Sequence, residues 1–388
     1  MPDSWTEILL GELCDLVKGT SPTQKTPPGE YPLIVTAAQP LSSDSHQIDG
    51  EAVCVPMVSS TGHGHASLKR VHYASGKFAV ANIIVACIVK DKELCDTRYL
   101  WLYLQARKDE VLVPRMQGTA NVSLSQRELA KVPVVLPPLA EQRRIVDLIG
   151  ALDETIEAAE QSSNASSALR LELLSSEFAT AAASPIAEFA ELLVGYAFKS
   201  SDYAAGGIRL LRGDNIVPGG MRWDDAKLIA EEDASAHSER YSLRADDIVL
   251  AMDRPVISSG VKAGLIKQED LPALLVQRVA RLRPSLKEHG RSIELCFGSR
   301  EFRTYLESGQ VGSHVPHING KQIAEFRVPV SIFQPGGPEL IGAANDAYVA
   351  SSEYADSLSA LRTSVLAVLL SGEHEIPSSY GEYLGVVA

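Results

Sequence analysis

Two long stretches of the chain carry apolar residues every three or four positions, the spacing that puts them on one face of a helix. The first stretch follows Pro137-Pro138, where Pro138 suits the first helical position, and the second follows Gly336-Gly337-Pro338. The first seam reads Ile145, Ile149, Leu152, Ile156, Ala159, Ser163, Ser166, Arg170 and Leu173, and the second reads Ile341, Ala344, Tyr348, Ser351, Ala355, Leu358, Arg362, Val365 and Leu369. Two such seams bury each other most simply as an antiparallel pair. Because the first seam is weak at Ser163 and Ser166, a break within residues 161–167 is an open alternative.

The two stretches are copies of each other. Residues 148–151 (Leu-Ile-Gly-Ala) recur at 340–343, and residues 167–170 (Ser-Ala-Leu-Arg) recur at 359–362, both at an offset of 192 residues (340 − 148). The repeat continues ahead of each helix at an offset of 194 (312 − 118), where Gly118, Leu124, Leu129 and Ala130 match Gly312, Ile318, Ile323 and Ala324. The repeat therefore predicts that the chain runs in the order domain, helix, domain, helix, with approximate two-fold symmetry.

The segments between the helices predict mixed α/β (α+β) domains. Residues 31–35, 52–58 and 78–89 are short apolar or alternating runs separated by Pro, Gly and Ser clusters, as strands are. Residues 97–110 predict a helix. The predicted divisions are a first domain at 1–136, a first helix at 137–183, a second domain at 184–335, a second helix at 336–373 and a loosely held tail at 374–388.

The charge is unevenly distributed. Of the net −13, the two helical regions and the tail carry 11, since residues 137–184 have 3 basic against 8 acidic side chains and residues 336–388 have 1 against 7. The two domains are close to neutral, with 13 against 14 in residues 1–136 and 19 against 20 in residues 185–335. Each domain can therefore present a basic face to nucleic acid, whereas the helices suit a protein partner better.

Three segments carry a resemblance to the specificity (S) subunits of Type I restriction–modification systems. They are LPPLAEQRRIVDLIGALDETIEAAE (136–160), HINGKQIAEFRVPV (317–330) and SALRTSVLAVLLSG (359–372). The paired layout of domains and helices is similar over nearly the whole chain. The second helix departs from the pattern, because FQPGGPELIGAA (333–344) lacks the Pro-Pro-Leu-x-Glu-Gln start of the first.

The resemblance implies a non-catalytic DNA-recognition subunit. Each domain would be a target-recognition domain that reads one half of a bipartite target in double-stranded DNA. The helices would carry methyltransferase (M) subunits, two being expected, and restriction (R) subunits would join through the complex. The resemblance implies no cofactor for this chain itself, because S-adenosylmethionine, ATP and Mg belong to the partner subunits.

Polar loops that combine Gly or Ser with basic residues are the candidates for DNA contact, since they offer backbone N–H groups to phosphates and side chains to base edges. They supply Ser60, Thr61, His63, His65, Lys69, Arg70, Arg115 and Thr119 in the first domain and Arg254, Ser258, Ser259, Lys262, Ser313 and His314 in the second. A solvated surface is the plain alternative for each. Arg278, Arg281 and Arg283 alternate with apolar residues and form either a basic stripe or a solvent-facing edge. In the Pro-Pro-Leu-Ala-Glu-Gln motif, Glu141, Gln142, Arg143 and Arg144 are candidates for partner binding.

Two rival functions remain at this stage. Asp214, Asp225 and Lys227 fit a loose D…D-x-K pattern, in which two carboxylates hold a metal and a lysine stabilises developing charge. That pattern predicts a self-sufficient metal-dependent nuclease, although the same residues suit turns. The other rival is a protein-binding scaffold without DNA contact. A metal cluster of His63, His65 and His72 with Cys54 and Cys87 lacks structural-zinc spacing, and no P-loop motif is present.

The location expected from composition is the cytoplasm. The five cysteines are odd in number, scattered and without a C-x-x-C pair, which favours reduced, buried thiols. No apolar run is long enough to span a bilayer, and no membrane association is expected.

Overall fold

The structure, a computed structural model, describes residues 4–61, 64–308, 317–377 and 379–380. It divides into two compact units, which we call unit 1 (Met1–Ala158 with Tyr354–Ala388) and unit 2 (Ala159–Glu353). Each long helix contributes one part to each unit.

Unit 1 is built on a mixed sheet, with one parallel and otherwise antiparallel strand pairs, covered by a helix. Its elements are β1 (Thr6–Leu9), α1 (Leu10–Leu13), β2 (Cys14–Lys18), β3 (Tyr31–Ile34), β4 (Leu41–Ser43), β5 (Ile48–Pro56), β6 (His72–Val80), β7 (Ile84–Val89), α2 (Thr97–Val111), α3 (Gln126–Ala130) and β8 (Pro133–Leu136), followed by the long α4 (Leu139–Thr180). The strand order is β2-β7-β5-β6-β3-β4, and β1 pairs with β8. The helix α2 begins at Asp96, whose carboxylate accepts from the backbone N–H groups of Arg98 and Tyr99, and its inner face buries Tyr99, Leu100, Tyr103 and Leu104.

Unit 2 repeats this plan and adds a second sheet. Its elements are β9 (Ala183–Pro185), β10 (Ala190–Val194), β11 (Tyr203–Ala204), β12 (Ile208–Leu211), β13 (Ile216–Val217), β14 (Gly220–Met221), β15 (Lys227–Ile229), α5 (Glu231–Tyr241), β16 (Ile248–Ala251), β17 (Val256–Ile257), β18 (Gly260–Val261), β19 (Ala263–Leu265), β20 (Ala273–Leu275), β21 (Val279–Pro284), α6 (His289–Phe297), α7 (Arg300–Ser308), α8 (Gly320–Glu325) and β22 (Arg327–Pro329), followed by α9 (Glu339–Ser371). The order β10-β21-β16-β19 corresponds to β2-β7-β5-β6, and β9 with β22 corresponds to β1 with β8. The added sheet has the order β11-β15-β12-β20.

The helix pair confirms the predicted seams. The helix α4 is continuous through residues 161–167, so the alternative of a break there is not realised. In unit 1, Ile145 and Ile149 share a core with Leu366 and Leu369. In unit 2, Arg170 of α4 donates from Nη1 to Oδ1 of Asn345 of α9 at 3.0 Å. Within each unit the paired segments run antiparallel.

Arg278 precedes β21 and Arg281 and Arg283 lie in it, and the three arginines form neither one basic stripe nor one solvent face. Only 2% of the Arg281 side chain is exposed, and it pairs with Glu191 at 3.2 Å. Arg283 donates from Nε and Nη2 to the carboxylate of buried Asp247, at 2.8 Å in both cases. Arg278 is exposed and pairs with Asp253 at 2.7 Å. A strand that is buried on both faces needs its cations neutralised internally, so two of the three arginines serve the fold.

The start of the predicted tail is held in the core of unit 1. Ile376 is buried, and its backbone N–H donates to Oε1 of Glu141 at 3.1 Å. The expectation of a loosely held segment is wrong at this point, because Ile376 packs with the apolar residues of α2 and α4.

Candidate nucleic-acid interface

Unit 1 brings its two candidate loops together. We call residues 57–71, between β5 and β6, the first loop, and residues 115–124, between α2 and α3, the second loop. Ser59 donates its backbone N–H to the carbonyl of Val122 at 3.0 Å, and Leu124 donates to the carbonyl of Met57 at 2.8 Å. A Cβ built on Gly64 would lie 3.3 Å from the carbonyl oxygen of Thr119. The two loops therefore form one surface.

The first loop holds its own shape through hydroxyl groups. Ser59 donates from Oγ to the carbonyl of His65 at 2.6 Å, and Thr61 donates to the same carbonyl at 3.2 Å. The Ser60 hydroxyl accepts from the backbone N–H of Lys69 at 3.0 Å. These bonds leave the side chains of Thr61, His65 and Lys69 exposed and Arg70 half-buried. His63 lies outside the described residues.

The second loop contributes Thr119 rather than Arg115. Thr119 is exposed, whereas Arg115 turns back to the scaffold and donates to the carbonyls of Val111 at 3.3 Å and Lys131 at 3.5 Å. The turn depends on Gly118, which has a φ of 132°. A Cβ there would stand 2.3 Å from the carbonyl oxygen of Asn121, so only glycine fits.

Unit 2 builds the corresponding loop after β16. Ile318 donates its backbone N–H to the carbonyl of Met252 at 2.9 Å, which repeats the bond between Leu124 and Met57. The strands β17 and β18 form a hairpin whose turn presents Ser258 and Ser259 to solvent. Ser313 and His314 lie outside the described residues.

The basic residues of that loop are Arg254 and Lys262. Arg254 is exposed and has a φ of 44°, a conformation uncommon for residues other than glycine. Lys262 is half-buried, and desolvation lowers the pKa of its ammonium group, against the opposing attraction of Asp214. Arg254 disfavours the charge on Lys262, whereas Asp214 and neighbouring Asp253 favour it. The loop therefore offers two cations to phosphates beside an acidic side chain.

The residues of the nuclease pattern form an exposed ion pair. Lys227 lies 2.9 Å from Oδ1 of Asp225, and Arg212 lies 3.6 Å from Oδ2 of the same carboxylate, which is 79% exposed. The hydrogen bond from Lys227 lowers the pKa of Asp225. Within the described ranges, no group of three or more His, Cys, Asp or Glu side chains is arranged to hold a metal ion. Cys54 stands opposite His72 across two strands and is buried, which raises the pKa of its thiol to about 12.

The start of α4 is a buried polar hub. Gln142 is completely buried, accepts from the backbone N–H of Asp96 at 2.9 Å and donates to the carbonyls of Leu94 at 2.9 Å and Pro137 at 2.8 Å. Glu141 is also buried and binds Arg144. Gln142 cannot touch a partner without opening the start of the helix. Arg143 is exposed, and partner contact by it and by Arg144 stays a prediction.

Both long helices also expose an uncharged strip that the seam analysis missed. Each member immediately precedes a seam residue, and we call the set the uncharged flank. In unit 1 it comprises Leu148, Ala151, Thr155 and Ala158 of α4 with Tyr354, Ser357, Leu361 and Ser364 of α9, and in unit 2 it comprises Ser162, Ala165 and Leu169 of α4 with Leu340, Ala343, Ala347 and Ala350 of α9. The flank includes four large side chains that are strongly exposed, at 55% for Tyr354, 49% for Leu361, 52% for Leu169 and 65% for Leu340. The repeat offset would have found them, since 361 − 169 is again 192.

Known proteins share this architecture. An S subunit of a Type I restriction–modification system from M. genitalium has a crystal structure with a TM-score of 0.64 and 15% identity, over 94% of this chain and 96% of that one. This likeness concerns the fold.

The sequence comparisons find similarity to the same kind of protein. Residues 2–165 match the family described as Type I restriction modification DNA specificity domain. The specificity subunit of the type I restriction enzyme MjaVIII from Methanocaldococcus jannaschii is 23% identical over 364 residues, covering 85% of this chain and 83% of that protein. Over most of its length the chain is therefore similar in sequence to a type I restriction specificity subunit.

Similarity to another type I specificity subunit is stronger but local. The EcoAI subunit from Escherichia coli is 39% identical over 139 residues, which cover 36% of this chain and 23% of the relative. The match thus spans less than a quarter of that relative's length. In the described part of the chain, no helix combines the length and the apolar character needed to cross a bilayer.

Proposed function

We propose that this chain is a type I specificity subunit that recognises a bipartite target in double-stranded DNA and does no chemistry itself. Unit 1 reads one half of the target with the first and second loops, and unit 2 reads the other half with the loop from Arg254 to Lys262. The observation that carries the proposal is a backbone hydrogen bond that closes the candidate loop in each unit. Leu124 donates to Met57 in unit 1 and Ile318 donates to Met252 in unit 2, so the two loops are closed at corresponding points of related folds.

The chemistry of the loops supports this assignment. Thr61, His65 and Ser258 offer hydrogen-bonding side chains for base edges, and Lys69 and Arg254 offer charge for phosphates. Their exposure lets them reach a ligand without rearranging the core. The acidic excess of the chain lies elsewhere, on the long helices and the tail.

The long helices position the partner subunits in this proposal. Methyltransferase subunits, two by the repeat, dock on the uncharged flank, and restriction subunits join through the complex. Exposed apolar residues at heptad-like spacing suit packing against partner helices. The partners bring S-adenosylmethionine, ATP and Mg, and this chain binds none of them as a cofactor of its own.

One experiment tests the central claim. The chain is co-expressed with a partner methyltransferase subunit, and methylated adenines are mapped across a plasmid. We expect one bipartite sequence with a fixed gap. Methylation independent of this chain would leave a scaffold role, and metal-dependent cleavage by the isolated chain would establish a nuclease instead.

A further inference from the structure

Unit 2 contains a cavity beside the loop that we propose reads DNA, since Ser259 and Gly260 of that loop belong to its lining. The unit 2 segments of α4 and α9 form one wall of the cavity. The junction between α6 and α7, together with the turn of the β17–β18 hairpin, forms the opposite wall. Its volume is 390 Å³, within the range of small-ligand sites. The lining residues that matter here are Arg170, Asn345, Tyr348, Arg300 and Arg303.

Arg170 is the most buried cation of this cavity. Its Nη1 donates to the side-chain oxygen of Asn345 at 3.0 Å, and its guanidinium carbon lies 5.3 Å from the centre of the Tyr348 ring. Its Nε is buried and has no hydrogen-bond partner among the described residues. Burial lowers the pKa of this guanidinium, which reflects the cost of holding a charge there without full compensation.

The internal repeat shows that Arg170 lacks a paired carboxylate. Arg170 and Arg362 are equivalent at the offset of 192, and so are their partners Asn345 and Asp153. In unit 1, Arg362 donates to both carboxylate oxygens of Asp153. In unit 2 the carboxylate is replaced by a neutral amide, so Arg170 lacks the counter-charge that its equivalent has.

The other charges around the cavity do not fill this gap. Glu294 also lines it, but its carboxylate accepts from Arg291 at 3.3 Å. Arg303 pairs with Glu307 at 3.0 Å. Arg300 is exposed, and no carboxylate of the described chain lies within ion-pairing distance of it or of Arg170. Two guanidinium groups therefore face one cavity without a direct ion pair. Glu294 attracts Arg170 through space, but its carboxylate is bonded to Arg291.

We propose that this cavity binds the phosphate group of a nucleotide-sized ligand. The planar guanidinium matches phosphate oxygens with paired donors, and Arg170 and Arg300 supply the charge. The remaining volume and the Tyr348 ring accommodate the organic part. The phosphate belongs either to a free nucleotide or to a nucleotide unit of DNA, and the second case rests on the DNA recognition proposed above.

The test introduces the missing carboxylate. Asn345→Asp recreates in unit 2 the pair found between Asp153 and Arg362, and its matched control is Asn164→Asp on the exposed face of α4. Three probes are titrated into the full chain at constant ionic strength: inorganic phosphate, AMP and a short duplex of unrelated sequence. We expect Asn345→Asp to weaken binding by about tenfold, the scale of one charged hydrogen bond, while Asn164→Asp binds like the wild type.

The probes separate the two sources of phosphate. Selective loss of AMP and phosphate binding assigns the site to a free nucleotide, and loss confined to the duplex assigns it to the DNA backbone. Arg300→Gln, a change at an exposed side chain, should weaken the same probe and covers the case in which Asn345→Asp does not fold. The proposal is overturned if no probe distinguishes these two variants from Asn164→Asp.

Discussion

The guanidinium of Arg362 holds the carboxylate of Asp153 from two nitrogens, Nε and Nη2, the latter at 2.9 Å. The pair joins α9 to α4 inside unit 1, where 22% of the arginine side chain and 43% of the aspartate side chain are exposed. A bidentate geometry makes this contact stronger than most surface ion pairs, although solvent screens it.

Removing that pair should cost a modest part of the stability. We expect Asp153→Ala to lower the free energy of unfolding by about 1 kcal/mol, because the site is partly screened. Chemical denaturation of Asp153→Ala, Arg362→Met and the double variant measures the coupling. A double variant whose loss equals the sum of the single losses would show that the two side chains do not interact.

The buried pair in β21 should matter more. Arg283→Met leaves the carboxylate of Asp247, 1% exposed, without its cation, and we expect a loss of about 3 kcal/mol. Arg278→Met is the matched control, because the Arg278 side chain is 73% exposed and its loss should change stability by less than about 0.5 kcal/mol. Equal effects of the two changes in urea denaturation would contradict this account of β21.

Unit 1 should lose stability in mild acid through His72. Desolvation and nearby Arg70 lower the pKa of this imidazole below its ordinary value of 6.5. The unfolded chain therefore binds a proton at a higher pH than the folded chain, so stability falls as the pH drops below that value, by at most about 1.4 kcal/mol per pH unit. Denaturation midpoints between pH 5.5 and 7.5 should depend less steeply on pH in His72→Gln. Parallel pH profiles would exclude His72 as the source.

The two reading surfaces should act independently. Thr61→Ala with His65→Ala should relax one half of the methylated target, whereas Arg254→Ala with Lys262→Ala should affect the other half or weaken all sequences alike. A lost base contact is worth about 1–3 kcal/mol of discrimination, and a lost phosphate contact lowers the salt dependence of binding. Mapping of methylated adenines distinguishes these results. A change in both halves from either variant would refute independent reading.

The uncharged flank should carry partner docking. Leu361→Glu in unit 1 and Leu169→Glu in unit 2 place a charge where we expect partner helices to pack, and each should weaken the complex with the methyltransferase subunit in size-exclusion chromatography. Leu41→Glu is the control, since Leu41 of β4 has the same 49% exposure as Leu361. Charge reversal at Arg143 tests the start of α4 separately. If both flank variants still form the complex, the uncharged flank is not the docking surface.

Sequence patterns predicted the features of this fold that depend on local periodicity. The helix expected at 97–110 is observed as Thr97–Val111, and the seam predicted that Ile149 and Leu369 would be buried. These predictions succeed because spacing decides which side chains share a face.

Tertiary partners decided the rest. Gln142 reads as an exposed helix-start residue, and only the nearby backbone of Leu94 and Asp96 makes it a buried hub. Arg281 has the sequence pattern of a surface charge. Its partner Glu191 lies 90 residues away, so the sequence around Arg281 gives no sign of the pair. Ile376 looked like part of a loose tail because nothing local announces its contact with Glu141. None of these three contacts has a periodic signature.

The backbone hydrogen bonds that close the two candidate loops have a consequence for which amino-acid replacements the protein tolerates. The bonds from Leu124 to Met57 and from Ile318 to Met252 use only backbone atoms, and every residue except proline can donate such a bond. Side chains at the loop tips can therefore be replaced without disturbing the closure. In the function that we propose, a new DNA address therefore needs only exchanges of exposed loop side chains, while the backbone closure of each loop is kept.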